Sequence, residues 1–223
     1  MKSYKLPSKR FILIFLALIP ALTMQAQQDG NENMANLVFP RFEQSVIKLN
    51  TGQSYKAVLN YEKTEQQMIV LRNGQLYLFK DTQSVDTIFI GSRIFVPAEK
   101  GFFEVLVSGP LSLFMQHKAD LENEGSTLAY GSKTNTAGIT HITTIYGKEG
   151  AIVLKIPENY KVVDASILWV RKNGEMHRIN NRVQFMKLFP NLKKELESYF
   201  KEHDTDFRKP GDVSGLVTFC NGL

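Results

Sequence analysis

From Ser45 to His117 the apolar residues fall in short runs, each closed by turn-forming residues, and within the runs side chains alternate with period two. Such alternation sends successive side chains to opposite faces of a strand. It predicts strands over 54–61, 67–72, 75–80, 85–90, 93–96, 102–107 and 111–117. Several are rich in Val, Ile, Phe and Tyr, as half-buried pleated surfaces favour. Asn73-Gly74 separates two runs and supplies positive φ at both central positions of a type I′ hairpin turn. Gly91-Ser92 suits a type II′ turn, and Ser108-Gly109-Pro110 breaks the chain again. Connections this short join antiparallel neighbours. The runs therefore form a meander, most simply a curved sheet or a partly open barrel.

Leu76 and Leu78 share one face of their strand, Tyr77 and Phe79 the other. Phe102, Glu104 and Leu106 alternate in the same way with Phe103, Val105 and Val107. Strands apolar on both faces need cover on both. The carboxyl-terminal part, about 181–222, can supply it as three short helices. Val183, Met186 and Leu188 mark the first. Leu192, Leu196, Tyr199 and Phe200 fall at i, i+4, i+7 and i+8 and mark an amphipathic second. Pro190 sits near its start, and Glu197 and Lys201 are placed to pair across one turn. The third runs from Asp212, its expected N-cap, to Cys220. A second Asn-Gly hairpin, 166–171 with 175–179, and a strand over 151–156 precede the helices. The predicted fold class is α+β, mainly β: an antiparallel meander with a C-terminal pack of three short helices.

Segment 119–150 is a long polar insertion. Connections within compact domains have medians of about 4–6 residues. Residues 139–146 alternate and suit one strand, but the flanks read as exposed loops. A mobile insertion and a binding loop are the two readings.

Residues 1–26 read as a signal peptide: Lys2, Lys5, Lys9 and Arg10, an apolar run over 11–22, and a small residue, Ala26, at the expected cut. The apolar run is too short for the roughly 20 residues that span a bilayer. The alternative is an uncleaved anchor. Residues 27–37 are polar and read as a flexible lead-in, leaving 38–223 as one β-rich domain. Composition agrees with a globular chain: 43% hydrophobic and 22% charged residues exclude wholesale disorder. The four basic leader residues account for four of the five net positive charges, so about +1 remains on the rest. A nearly neutral domain has no electrostatic case for nucleic acid. The expected product has no membrane span after processing and is periplasmic or secreted. One cysteine excludes a disulfide framework, and Cys220, on an apolar helix face, reads as inert packing.

Three stretches carry a resemblance: Ile90-Gly-Ser-Arg-Ile-Phe-Val96; Gly101-Phe-Phe-Glu-Val-Leu106 with Leu111-Ser-Leu-Phe114; and Ile167 through the helical tail, including Phe185-Met-Lys-Leu-Phe-Pro190. In order and spacing the chain resembles a group of uncharacterised secreted proteins widespread in Bacteroidota. The resemblance implies an envelope location and a strand-rich body with a helical tail. It carries no known activity, so it transfers no catalytic residue.

The chemistry-bearing residues are scattered. His117, His141, His177 and His203 show no metal-ligand spacing, and no nucleophile elbow or phosphate-cradling glycine loop is present. No catalytic, cofactor-binding or metal-binding residue is assigned, and no cofactor is expected. The acids between Asp204 and Asp212 lack calcium-loop spacing and read as a helix-linking turn. Glu104, inside an apolar strand, is a general acid or base candidate with a raised pKa if buried alone. Facing solvent at a sheet edge, or pairing with a nearby Arg or Lys, is the commoner outcome. His141, in the odd loop, is the other catalytic candidate. Asp120, Glu122 and Glu124 read as a solvated turn or an acidic rim. Trp169 is a carbohydrate platform if exposed, with burial the favoured reading. The leading expectation is an exported, non-catalytic binding or assembly module with an envelope protein or glycan as partner. The alternatives are an exported hydrolase assembled from scattered residues, and a small-lipid carrier or sensor.

Overall fold

The computed structural model describes residues 34–123, 126–127, 133–134, 144–146, 150–156 and 159–223. The expected leader 1–26, the lead-in up to residue 33, Glu124, His141 and much of the 119–150 insertion lie outside the described residues.

Strands β1 (Glu43–Leu49), β2 (Ser54–Glu62), β3 (Gln67–Arg72), β4 (Gln75–Leu78), β5 (Val85–Ile90), β6 (Arg93–Pro97), β7 (Phe102–Val107) and β8 (Ser112–Gln116) follow one another. β9 (Ala119–Asn123), β10 (Ser126–Thr127), β11 (Lys133–Thr134), β12 (Thr144–Tyr146), β13 (Ala151–Leu154) and β14 (Tyr160–Asp164) come next. β15 (Ile167–Lys172), β16 (Glu175–Ile179), α1 (Arg182–Leu188), α2 (Lys193–Glu202) and α3 (Pro210–Asn221) complete the chain. Twelve strands form one antiparallel sheet in the order β12-β13-β4-β3-β2-β1-β5-β6-β7-β8-β15-β16. β9 and β14 pair separately over five residue pairs.

The hairpin turns set the register. Asn73 and Gly74 have φ of 51° and 74°, and Asn173 and Gly174 have 51° and 85°, as type I′ turns require. Gly91, at φ 58°, leads the predicted II′ turn. The sheet then curls strongly. β2 and β6 stand three places apart, roughly 14 Å in a flat sheet. Yet Tyr61 of β2 stacks on Phe95 of β6 at 6.1 Å. Five places separate β2 from β8, but Ala119 N, just after β8, donates to Lys63 O, just after β2 (3.1 Å). The ends meet through this contact and through Gln116 Nε2 donating to Gln66 Oε1 (2.6 Å). The sheet does not close, because β8 pairs with β15 instead.

The concave face holds two apolar clusters. Ile47, Leu59, Tyr61, Met68, Val85, Ile88, Ile90, Phe95 and Phe102 fill the curl. Leu113, Leu168, Val170 and Ile179 from the far strands meet Phe185, Leu196, Val213, Leu216 and Val217 from the helices. The tail thus roofs one end of the sheet. Asn221 fastens its last turn, with Oδ1 accepting from Leu111 N (2.9 Å) and Nδ2 donating to Leu111 O (2.8 Å). Lys172 Nζ donates to Leu188 O at the end of α1.

At the start of α1, Asn181 caps the helix by accepting from Gln184 N (2.9 Å), and Gln184 Oε1 accepts from Asn180 N (3.0 Å). Asn181→Ala should cost about 1 kcal/mol in urea unfolding, and Asn181→Gly only a few tenths.

Several expectations shift. β1, absent from the predicted strands, lies between β2 and β5. The start of the 119–150 insertion is not a loop: Asp120 and Glu122 are exposed positions of β9. Asn36 and Leu37, expected in a flexible lead-in, are buried, and Asn36 Nδ2 donates to buried Glu62 (2.9 Å). Helix α3 starts at Pro210, and Asp212 lies in its first turn, accepting from Asp206 N (3.0 Å). On α2 the observed pair is Lys193 with Glu197, 4.0 Å apart.

Candidate functional site

Among the described residues, two groupings of polar chemistry stand on opposite faces of the sheet. On the concave face, Arg93 of β6, Glu104 of β7 and His117 just after β8 converge. In-register pairing sets Phe95 opposite Glu104, and Arg93 two residues along reaches back diagonally. Its Nε donates to Oε1 (2.6 Å) and its Nη2 to Oε2 (2.5 Å), a bidentate pair. His117 Nε2 lies 2.6 Å from Oε2 and 2.8 Å from Arg93 Nη2. A carboxylate oxygen only accepts, so Nε2 carries a proton toward Glu104. Burial pushes the Glu104 carboxyl up. The hydrogen bond from His117, then the hydrogen bond and charge of Arg93, outweigh burial and hold it below its ordinary 4.5. The pairing with a nearby Arg is the outcome found, and the raised pKa of a lone buried carboxyl does not arise: the Arg93 charge and the hydrogen bonds to both oxygens favour the ionised form.

A carboxylate orienting an imidazole is a familiar half of nucleophilic machinery. Here the imidazole is enclosed, with Tyr61 and Phe95 rings 6.1 and 6.2 Å from it. Arg93 is the most exposed of the three, and it lies over Phe39 (4.7 Å) and Phe95 (5.5 Å). The arrangement neutralises charge inside the curl.

On the outer face lies a groove of about 500 Å³ over β6, β7, β8, β15 and β16. In-register pairs Val96–Phe103, Val105–Phe114 and Phe114–Trp169 put these side chains on the face opposite the core. Trp169, half-buried, stacks on Phe103 at 6.0 Å with the planes 19° apart. Gln116 Oε1 accepts from Trp169 Nε1 (3.0 Å), which fixes the indole edge. Arg171, exposed, sets its guanidinium 5.0 Å from the Phe114 ring centre and donates to Ser112 Oγ (3.4 Å). Met176 and the Glu99–Lys100 turn complete the walls. The groove presents a flat aromatic floor beside a fixed amide and a guanidinium. That set suits a planar or saccharide ligand held by stacking and hydrogen bonds.

The residues singled out by sequence end in different places. Glu104 does stand beside another titratable group, but neither it nor His117 lines the groove. Trp169, expected to be buried, is half-buried at the groove floor. His177 lies 3.7 Å from Glu175 on β16, and His203 stacks on Tyr199 at 4.1 Å. In the 204–212 segment the Arg208 side chain and backbone N–H pull Asp206 down to about 2, a helix-linking turn held by its own ion pair. Burial pushes the Cys220 thiol up to about 11, which leaves it protonated and unreactive at neutral pH. Among the described residues no group of His, Cys, Asp and Glu could hold a metal ion, and no helix is long and apolar enough to cross a membrane. Arg93, Gln116 and Arg171 were not singled out from sequence, and His117 and Phe103 were noted only for their lack of metal-ligand spacing and their strand alternation. Cross-strand register was the signal that could have found them. Compared with protein-family models, curated proteins and solved structures, the chain finds no match.

Proposed function

We propose that the protein is an exported, non-catalytic binding module of the cell envelope and that its ligand, a glycan, occupies the outer-face groove. The observation that carries this reading is the Phe103–Trp169 stack, half-exposed at the floor of the groove and outside both apolar clusters. A sugar ring offers one apolar face and a rim of hydroxyls. The indole meets the first, while Gln116 and Arg171 lie where they can meet the second. The volume lies inside the roughly 300–1,000 Å³ usual for small-ligand sites. The leader-like residues 1–26 and the resemblance to secreted proteins support the envelope address.

The chain has one tryptophan, so its fluorescence reports on the groove directly. Titrating the protein with oligosaccharides prepared from its own envelope should shift that emission saturably. Trp169→Phe should weaken binding, measured by calorimetry, and Trp169→Ala should weaken it about tenfold or more. Unchanged affinity in a folded Trp169→Ala protein would remove the groove from consideration.

A further inference from the structure

We propose that the glycan is acidic: Arg171 takes a sugar carboxylate while the Trp169–Phe103 floor takes the ring that bears it. This rests on the reading of the groove as a glycan site and adds the ligand's charge class.

Arg171 follows Trp169 by two residues on β15, so both rise from the same face, roughly 7 Å apart along the strand. A ring resting on the indole therefore has the arginine side chain of the same strand face beside it. The guanidinium is held ready for the carboxylate. Its plane rests near Phe114, and Ser112 Oγ engages one Nη. Three other arginines are answered by acids, Arg41 by Glu43, Arg93 by Glu104 and Arg208 by Asp206, whereas Arg72, Arg178 and Arg182 share with Arg171 the lack of an ion pair among the described residues. Arg171 has no carboxylate partner among the described residues, although it lines a groove. Lys100 adds a second positive charge to the wall, against one negative charge from Glu99. The domain as a whole is nearly neutral, so this local excess is a property of the site. A guanidinium offers paired donors in the geometry of a carboxylate and is more weakly hydrated than an ammonium, so it gives up its water readily.

The test compares three probes at equal length: oligogalacturonate, a neutral gluco-oligosaccharide and polyglutamate. Binding to the full protein is followed by Trp169 emission and calorimetry at low and high salt. The acidic sugar should bind about tenfold more tightly than the neutral one at low salt, and the advantage should shrink as salt rises. Arg171→Gln should abolish the difference by weakening the acidic sugar alone. Arg171→Lys should restore part of it. An equal or stronger response to the neutral sugar, or an Arg171→Gln protein that still prefers the acid, overturns the proposal and leaves the glycan reading standing. Polyglutamate binding as tightly, with no loss in Trp169→Ala, overturns it in favour of a plain anion site. No response to either sugar sinks both the proposal and the reading beneath it. Should Arg171→Gln fail to fold, Arg171→Lys and the salt series decide alone.

Discussion

Replacing Glu104 by alanine should lower the free energy of unfolding by about 3 kcal/mol, measured by urea denaturation at pH 7. Glu104 is 6% exposed, and its carboxylate meets both the Arg93 guanidinium and the His117 imidazole. Removing it leaves two donors facing each other, one of them fully enclosed. The loss comes from the stranded partners more than from the lost attraction, which is why a buried pair costs more to break than it contributed. Glu104→Gln keeps the volume and one acceptor and should cost less, about 2 kcal/mol. The dependence on pH follows from the direction of the Glu104 shift. Its folded pKa lies below the unfolded value near 4.5, so the folded state favours the ionised form. The resulting stability is fully present above that value and fades as the pH falls through the lower, folded pKa. An acid titration of the wild type should therefore lose stability below about pH 4.5, and the Glu104→Gln protein should lose less over the same window. Equal acid sensitivity in the two proteins would show that Glu104 is not the group that matters.

The second large effect belongs to Gly101. Its φ is +62°, and a β-carbon built there would lie 1.9 Å from Gln66 O and 3.1 Å from the Tyr61 hydroxyl. Gly101 closes the short turn between β6 and β7, where Ala98 N donates to its carbonyl (3.1 Å). Gly101→Ala must pay the left-handed backbone cost, about 1–2 kcal/mol, and also push apart two backbones that the curl holds together, about 1–3 kcal/mol more. A loss of about 3 kcal/mol or more is expected. Gly74→Ala provides the comparison. Its φ is +74°, but no atom lies within 4 Å of the added carbon, so only the backbone cost of about 1 kcal/mol applies. If the two alanine variants unfold at the same urea concentration, the close approach at Gln66 is not a constraint.

What could be read from the chain beforehand was whatever depended on neighbours in sequence. The strands 67–72, 85–90, 102–107 and 175–179 coincide with β3, β5, β7 and β16, because each lies in a hairpin whose turn residues fix its ends. The helical tail was legible through the spacing of Leu192, Leu196, Tyr199 and Phe200. The misses are non-local. β1 carries only Val46, Ile47 and Leu49 among polar residues, and its place between β2 and β5 comes from pairing on both sides. β9 and β14 are separated by almost forty residues, and neither is apolar enough to announce itself. Glu104 drew notice as a charge within an apolar strand. Its environment needed the register that sets Phe95 opposite it and the curl that encloses His117. Trp169 was the converse case. A lone tryptophan in a small domain is usually core, and only the inward side of its hairpin, set by Leu168 and Val170, turns it outward.

The two faces of the sheet follow different evolutionary rules. Inside, every position answers to the volume of a partner across the curl or beneath the roof, so change there must come in compensating pairs. Outside, exposed positions such as Met176 project from strands already anchored by their neighbours and can drift alone, while Phe103 and Gln116 stay tied to Trp169. A lineage carrying this scaffold can therefore acquire new specificities one substitution at a time while its interior stays nearly frozen.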